Sequence, residues 1–178
     1  NTVDILEAKN AGKTGIIFGF QNTTAIEEDI GLLTIFHALG VRGIQLTYME
    51  ANLVGQGCLE RIDAGLTQFG LEVIQEMNRL GILIDLSHVG YQTTMDAIEA
   101  SAKPVAYTHA NPHSLCSHAR NKPDDAIIAL AKKGGVIGAT VFPPFLPAGK
   151  NSTIKDFLDV IEYLVEMVGI DHVAIGTD

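Results

Sequence analysis

The chain has no tryptophan, only two cysteines and few basic residues, and each shortage excludes a class of protein. Cys58 and Cys116 are too few for a disulfide-rich scaffold or for a four-cysteine zinc site. Twelve lysine and arginine residues stand against 21 aspartate and glutamate residues, and the net charge of −9 leaves no electrostatic footprint for nucleic acid or anionic lipid. The longest apolar runs, 15–20 and 136–142, are far shorter than the roughly 20 residues of a membrane-spanning helix.

The composition that remains is that of an ordered globular protein. Hydrophobic residues make up 47% of the chain and charged residues 19%, which is too apolar for a disordered segment. A length of 178 residues suits a single domain with a sizeable core, so we expect residues 1–178 to form one domain. No signal-peptide pattern is present, and a cytoplasmic location is the favoured expectation; the sequence leaves the oligomeric state open, with a homodimer as one option.

Short apolar segments rich in isoleucine and valine alternate with helical patterns along the chain. Segments of this kind, apolar on both faces, are typical of a buried parallel sheet. They predict six strands, at residues 14–19, 43–46, 82–86, 105–108, 136–141 and 173–176. The amphipathic patterns between them predict helices at residues 26–36, 73–80, 89–101, 123–134 and 154–168, and a polar stretch predicts another at 1–12. Capping signals mark two of these helices, at Thr24 to Glu27 and at Thr153 to Asp156.

The alternation of strands and helices indicates an α/β protein with right-handed crossovers. Two architectures fit this pattern, a (β/α)8 TIM-barrel and an open doubly wound sheet. An open sheet usually carries a glycine-rich phosphate loop after its first strand, and residues 20–24 have no such pattern. Because six strands cannot close an eight-stranded barrel, we expect an incomplete TIM-barrel with strands three to eight, the C-terminal portion of the barrel.

Polar side chains stand at the C-terminal ends of the predicted strands, where a barrel carries its chemistry. These residues are Gln21, Tyr48, His88, His109 and Asp178. His88 and His109 follow neighbouring strands, whose ends lie roughly 5 Å apart, and two converging imidazoles form part of a zinc shell. Spacing alone leaves both a metal site and a pair of structural histidines open. We expect the other four histidines to be structural or solvated, namely His37, His113, His118 and His172.

Three further positions have both a functional and a plain interpretation. Asp178, at the tip of the last strand, suits metal binding or proton transfer, or caps a turn. Arg120 suits two-pronged binding of a carboxylate, or is solvated. Cys58 and Cys116 lack a histidine and asparagine arrangement for nucleophilic catalysis, so we expect them to be structural.

Four motifs, in this order along the chain, resemble the membrane dipeptidase family (renal dipeptidase, peptidase family M19). They are GILIDLSH at 81–88, PVAYTH at 104–109, RNKPDD at 120–125 and GTD at 176–178. Two weaker matches are GLTQFG at 65–70 and EMNRLG at 76–81, and the resemblance runs from about Gly15 to the end. It implies a metal-dependent (β/α)8-barrel hydrolase of the amidohydrolase type, usually with two zinc ions, that cleaves the amide bond of dipeptides by metal-activated water.

The resemblance also implies roles for particular residues. His88 and His109 match the ligands of the second metal ion, and Asp178 matches the residue that moves the proton. Arg120 matches the residue that holds the substrate carboxylate. The bridging glutamate of the family falls at Gln21, which makes Gln21 a third candidate ligand, and a substrate-contacting histidine falls at Tyr48.

Two departures from the family pattern put the metal count at one or two. The first-strand His-x-Asp of the family has no counterpart in the chain, and Gln21 offers a neutral amide where a bridge between two dications needs charge. The leading expectation is therefore a zinc-dependent hydrolase of a dipeptide or similar small amide. The alternatives are a catalytically silent relative that binds a small molecule, and a one-metal lyase or isomerase.

Overall fold

The computed structural model describes all 178 residues and is built on one six-stranded parallel sheet. The strands are β1 (Phe18–Phe20), β2 (Val41–Gln45), β3 (Leu83–Asp85), β4 (Ala106–Tyr107), β5 (Val136–Ala139) and β6 (Val173–Ile175). Their order across the sheet is their order in the chain, and every neighbouring pair is parallel. This arrangement confirms the predicted α/β class and has the architecture of an incomplete (β/α)8 barrel.

A helix connects each strand to the next, so every crossover is a βαβ unit. The α-helices are α1 (Thr2–Asn10), α2 (Gly31–Ala38), α3 (Gln68–Leu80), α4 (Tyr91–Ala100), α5 (Asp124–Lys132) and α6 (Ile154–Val168). Short 3-10 helices occupy Thr24–Ile26, Pro143–Phe145, Gly149–Asn151 and Ile170–His172. None of the helices is both long enough and apolar enough to cross a membrane.

The core lies between the sheet and the apolar faces of its helices. It is a cluster of 26 buried hydrophobic residues, to which the strands contribute Ile44 and Ile84, and α3 contributes Val73, Ile74 and Met77. The three α3 residues follow the three- and four-residue spacing of one helix face, which is why the amphipathic pattern in the sequence identifies this helix correctly.

The ends of the longer helices follow from their capping residues. At the start of α3, the Thr67 side chain accepts a hydrogen bond of 2.9 Å from the Gly70 amide. The same helix ends at Gly81, whose φ of 75° lies in the left-handed region that glycine adopts freely. The predicted capping box of α6 is confirmed, because the Thr153 amide donates to Asp156 Oδ2 at 2.7 Å.

The capping box predicted at Thr24 to Glu27 is wrong. Residues 24–26 form a single 3-10 turn, and Glu27 then adopts a φ of 48°, which interrupts helical geometry. The helix α2 starts only at Gly31, whose amide donates to Asp29 Oδ1 at 2.8 Å. Strand boundaries also differ from those predicted, since β1 covers 18–20 rather than 14–19 and β2 begins at Val41.

Candidate metal centre

His88 and His109 meet beyond the C-terminal ends of β3 and β4, as the sequence predicts. Asp85 at the end of β3 pairs with Ala106 at the start of β4, and the chain runs on from each strand to its histidine within three residues. The two Nε2 atoms lie 3.0 Å apart and the ring centroids 5.1 Å apart. Both side chains are buried, at 4% and 6% exposure. The fold therefore aims two imidazole nitrogens at one point.

Both imidazoles are neutral at neutral pH. Burial lowers the pKa of His88 to about 3, and the positive charges of Arg120 and Lys122 act in the same direction. Burial also lowers the pKa of His109, against the opposing effect of the Asp85 carboxylate. A neutral imidazole keeps one nitrogen lone pair, which is what a metal ion requires of a histidine ligand.

The spacing of the pair fits two corners of a tetrahedral zinc site. Zinc–nitrogen bonds of 2.0–2.1 Å at tetrahedral angles place two ligand nitrogens about 3.3 Å apart. The observed 3.0 Å between His88 Nε2 and His109 Nε2 is close to this value. No group of three histidine, cysteine, aspartate or glutamate side chains in the chain is arranged to hold a metal ion. The chain itself thus provides two histidine ligands, half of a four-ligand zinc site.

Asp85 lies directly behind the pair and is a residue that the sequence reasoning missed. Its Oδ1 accepts hydrogen bonds from the Ser87 amide at 2.9 Å, the Ser87 hydroxyl at 2.5 Å and the Thr108 amide at 3.2 Å. Its Oδ2 accepts from the Thr108 hydroxyl at 2.6 Å, and Thr108 Oγ1 lies 2.8 Å from His109 Nδ1. The signal in the sequence is a carboxylate inside the apolar strand ILIDL.

Three consecutive backbone carbonyls around His88 are each held by a donor from another loop. An Nη1 hydrogen of Arg120 binds the Ser87 carbonyl. The Cys58 amide binds the His88 carbonyl at 2.8 Å. The Nζ of Lys122 binds the Val89 carbonyl at 2.7 Å. The loops on both sides of the site thus fix the main chain that carries His88.

Arg120 is buried beneath the pair, at 1% exposure, rather than standing on an open loop. Besides its bond to Ser87, its Nη2 donates to the His109 carbonyl at 3.2 Å, and its guanidinium lies 5.3 Å from the centre of the Phe145 ring. A guanidinium has five N–H donors, and the Nε–H has no partner within the chain. Arg120 therefore links the backbones of both histidines and keeps donors for an anion.

Tyr48 contacts the pair directly, and Gln21 borders the same groove as Tyr48. The Tyr48 ring stacks on His88 with centroids 4.3 Å apart and an interplanar angle of 23°. Gln21, Asn22, Tyr48 and Glu50 border an open groove of about 540 Å³. The Gln21 side chain is exposed, while its backbone carbonyl accepts a 2.7 Å hydrogen bond from the side chain of Gln45.

Asp178 follows β6 on the same side of the sheet. Burial lowers the pKa of both His109 and Arg120, and the negative charge of Asp178 opposes this effect at each. The Asp178 side chain is exposed. The structure thus leaves Asp178 near enough to affect the charge balance at His109, but it does not make Asp178 a third member of a metal-holding group.

The side chains of the remaining candidates make no hydrogen bond to either imidazole of the pair. His172 is at the N-terminal end of β6, where its Nδ1 is 2.8 Å from the Gly135 carbonyl. His37 is in α2, and His113 and His118 belong to the loop before α5. Cys58 and Cys116 are both free thiols, and burial raises the pKa of Cys58.

The whole chain, residues 1–178, matches the model of the family described as membrane dipeptidase, peptidase family M19. The chain belongs to this family. An uncharacterized dipeptidase of Schizosaccharomyces pombe is 34% identical to it over 179 residues, which cover 96% of this chain and 42% of the relative. The motifs quoted above therefore indicate the correct family.

Solved structures of similar proteins have the same fold. An amidohydrolase from Pseudomonas aeruginosa is 50% identical with a TM-score of 0.96, covering 100% of this chain and 55% of that one. A metallopeptidase from Rhodobacter sphaeroides, liganded with a phosphinate mimic of the dipeptide L-Ala-D-Ala, is 26% identical with a TM-score of 0.93, covering 99% and 53%. The chain spans about half the length of the family members that it matches.

Proposed function

We propose that the protein containing this chain is a metal-dependent dipeptidase that hydrolyses the amide bond of a dipeptide or a similar small amide. The observation that carries the proposal is the pair of buried, neutral imidazoles whose Nε2 atoms lie 3.0 Å apart. Membership of family M19 supports it, and so does the dipeptide mimic bound to the similar Rhodobacter sphaeroides metallopeptidase.

In this proposal His88 and His109 would hold a divalent ion, with zinc as the expected metal. Gln21 is the third candidate ligand, through its side-chain oxygen. Because Gln21 carries no charge, it cannot offset the repulsion between two divalent ions. A site with one ion is therefore more favourable there than a site with two. Such an ion, when bound, supplies Lewis-acid polarisation of the scissile carbonyl and lowers the pKa of water.

The substrate is proposed to lie in the groove between Gln21 and Tyr48, with its carboxylate toward Arg120. The guanidinium is buried and already oriented by the Ser87 and His109 carbonyls, so it would bind an anion without losing further side-chain freedom. The Tyr48 hydroxyl is a hydrogen-bond donor for charge that develops on the attacked carbonyl.

Asp178 is the proposed proton carrier. Its exposed carboxylate follows β6 on the side of the sheet that carries the histidine pair, and it would accept a proton from the attacking water and deliver it to the leaving amine. General acid–base transfer of this kind contributes about 10²–10⁴-fold to a rate. The proposal is supported by the short distance along the chain between Asp178 and β6, which ends at Ile175.

The test is metal analysis of the full-length protein together with a screen of dipeptide hydrolysis, on wild type, His88→Ala and His109→Ala. We expect zinc and turnover in wild type and a loss of both in each variant. His113→Ala is the matched control, because His113 is an exposed loop histidine outside the pair. Unchanged zinc content in both site variants would contradict the proposal. Zinc without turnover of any dipeptide would favour a one-metal lyase or isomerase, or a binding protein, which the neutral Gln21 also fits.

A further inference from the structure

We propose that Asp85 is a positioning residue, acting through Thr108 to hold His109 in the tautomer that aims an Nε2 lone pair at the metal site. The part of this proposal that concerns metal binding rests on the proposed function. The part that concerns the tautomer rests only on the hydrogen bonds around Asp85.

The first step is the direction of the hydrogen bond between Asp85 and Thr108. Four donors converge on the Asp85 carboxylate, which has only acceptors to offer. The Thr108 hydroxyl therefore gives its single hydrogen to Asp85 Oδ2, at 2.6 Å. Ser87 Oγ lies farther from Thr108 Oγ1, at 3.2 Å, and donates its own hydrogen to Asp85 Oδ1 at 2.5 Å.

The second step is the contact between Thr108 and His109. With its hydrogen already given to Asp85, the Thr108 oxygen can only accept from His109 Nδ1, at 2.8 Å. A neutral imidazole carries one hydrogen, so Nε2 is left with its lone pair. This Nε2 is the atom that faces His88 Nε2 at 3.0 Å.

The same network also fixes the main chain of His109. The His109 amide donates to Ser87 Oγ at 3.1 Å, and the Thr108 amide donates to Asp85 Oδ1 at 3.2 Å. The segment after β4 is thus held to the segment after β3 by both its side chains and its backbone. Partners of this kind around a metal ligand typically change metal affinity 10–100-fold when they are replaced.

The two oxygens of Asp85 accept different numbers of hydrogen bonds, and for this reason Asp85→Asn tests the proposal directly. Oδ1 accepts three hydrogen bonds and Oδ2 accepts one, so an asparagine keeps its oxygen at the Oδ1 position and presents its NH₂ to Thr108. Thr108 then accepts from residue 85 and gives its hydrogen to His109 Nδ1. The His109 hydrogen consequently moves to Nε2, and the lone pair toward His88 is lost.

The experiment is ¹⁵N NMR of the histidine rings in the metal-free, full-length protein, followed by zinc titration of the same samples. Wild type is expected to show His109 with hydrogen on Nδ1, and Asp85→Asn with hydrogen on Nε2. Zinc affinity is expected to fall about 10–100-fold in Asp85→Asn. Thr108→Val removes the hydroxyl without changing residue 85. We expect it to lose the single-tautomer signal and to bind zinc as weakly as Asp85→Asn does. Thr108→Ser, which keeps the hydroxyl, is expected to retain both the tautomer and the zinc affinity of wild type.

Thr94→Val is the control, because it makes the same replacement at a threonine whose hydroxyl has no hydrogen-bond partner in the chain. It should change neither the tautomer nor the affinity. Hydrogen on Nε2 in wild type, or on Nδ1 in Asp85→Asn, would overturn the proposal whether or not zinc binds. Failure of wild type to bind zinc would instead overturn the proposed function, and with it the metal-binding part of the role of Asp85.

Discussion

Lys122 is a buried lysine whose amine forms no salt bridge with a carboxylate. Its Nζ donates to the Val89 carbonyl and lies 5.2 Å from the centre of the Tyr107 ring. Burial, followed by the charge of Arg120, lowers the pKa of Lys122 to about 7. The folded state thus prefers neutral Lys122, whereas the unfolded chain keeps the amine charged up to its ordinary pKa of about 10.4.

This difference gives a stability that depends on pH. Between pH 7 and 10 the unfolded state binds more protons at Lys122, so the free energy of unfolding is expected to rise with pH, by at most about 1.4 kcal/mol per unit. Lys122→Met should lack this rise, and the exposed Lys103→Met should keep it. Urea unfolding at pH 7 and pH 9 measures it. Parallel profiles for wild type and Lys122→Met would contradict the assignment.

Asp178 carries the chemical step in the proposed reaction, so its loss should affect turnover rather than metal content. In Asp178→Asn we expect kcat for a dipeptide to fall about 10²–10⁴-fold, with zinc content unchanged. Asp171→Asn is the control, since Asp171 is an exposed aspartate just before the opposite end of β6. Steady-state kinetics compare the two variants. An Asp178→Asn protein as active as wild type would exclude this role.

The sequence predicted the histidine pair because both residues directly follow buried strands that are neighbours in a parallel sheet. It could not predict the roles of Asp85 and Lys122, since neither spacing nor residue type shows which carbonyl or hydroxyl a side chain will meet. The burial of Arg120 escaped prediction for a related reason. It depends on how the loop before α5 folds back over the ends of β3 and β4.

At the scale of elements, the close approach of β4 and β5 depends on a glycine. A Cβ at Gly138 on β5 would overlap the backbone carbonyl oxygen of Thr108, the residue that precedes His109. The Gly138 carbonyl in turn accepts a 3.0 Å hydrogen bond from the Ala110 amide. The backbone on both sides of His109 is therefore set by the absence of a side chain at position 138.

Gly138→Ala should consequently destabilise the fold and displace His109. We expect a loss of about 1–3 kcal/mol in the free energy of unfolding, the usual result of overpacking, together with weaker zinc binding. Gly43→Ala is the matched control, because Gly43 lies in a strand of the same sheet and its added Cβ would meet no atom within 4 Å. Equal stability and zinc affinity in the two variants would show that β5 can move away.

Most elements could be predicted because their apolar periodicity records which face is buried. The exception is the start of α2. The residues Thr24 and Glu27 have the pattern of a helix N-terminus, but in the folded chain residues 24–26 form a 3-10 turn and α2 starts at Gly31. The chain turns at Glu27, and Asp29 provides the hydrogen bond near the start of α2 instead. Strand ends were also misplaced, since a strand stops where its partner stops, and this register is not visible in one segment alone.

At the scale of the whole molecule, the sheet is open at β1 and β6. Exposed apolar side chains stand near both edges, namely Ile16, Ile17, Phe18 and Ile175. Open parallel edges of this kind are sites of association unless another strand covers them. We propose that residues 1–178 are one domain and form the C-terminal portion of a closed (β/α)8 barrel, which is consistent with the chain spanning about half of its solved relatives.

Expressed alone, these 178 residues are therefore expected to associate through their sheet edges. Analytical ultracentrifugation should show a distribution that shifts to larger species with concentration. The full-length protein, measured at the same concentrations, should give a single species of fixed size. A monomeric 178-residue chain that unfolds cooperatively would contradict the proposal that additional strands complete the sheet.

The central claim is that His88 and His109 hold the metal ion of a dipeptidase. Its most direct test is anomalous diffraction at the zinc absorption edge, on crystals of the full-length protein grown with zinc. We expect an anomalous peak about 2.0–2.1 Å from both Nε2 atoms. An anomalous map with no peak between the two imidazoles, while the protein cleaves dipeptides in solution, would contradict it.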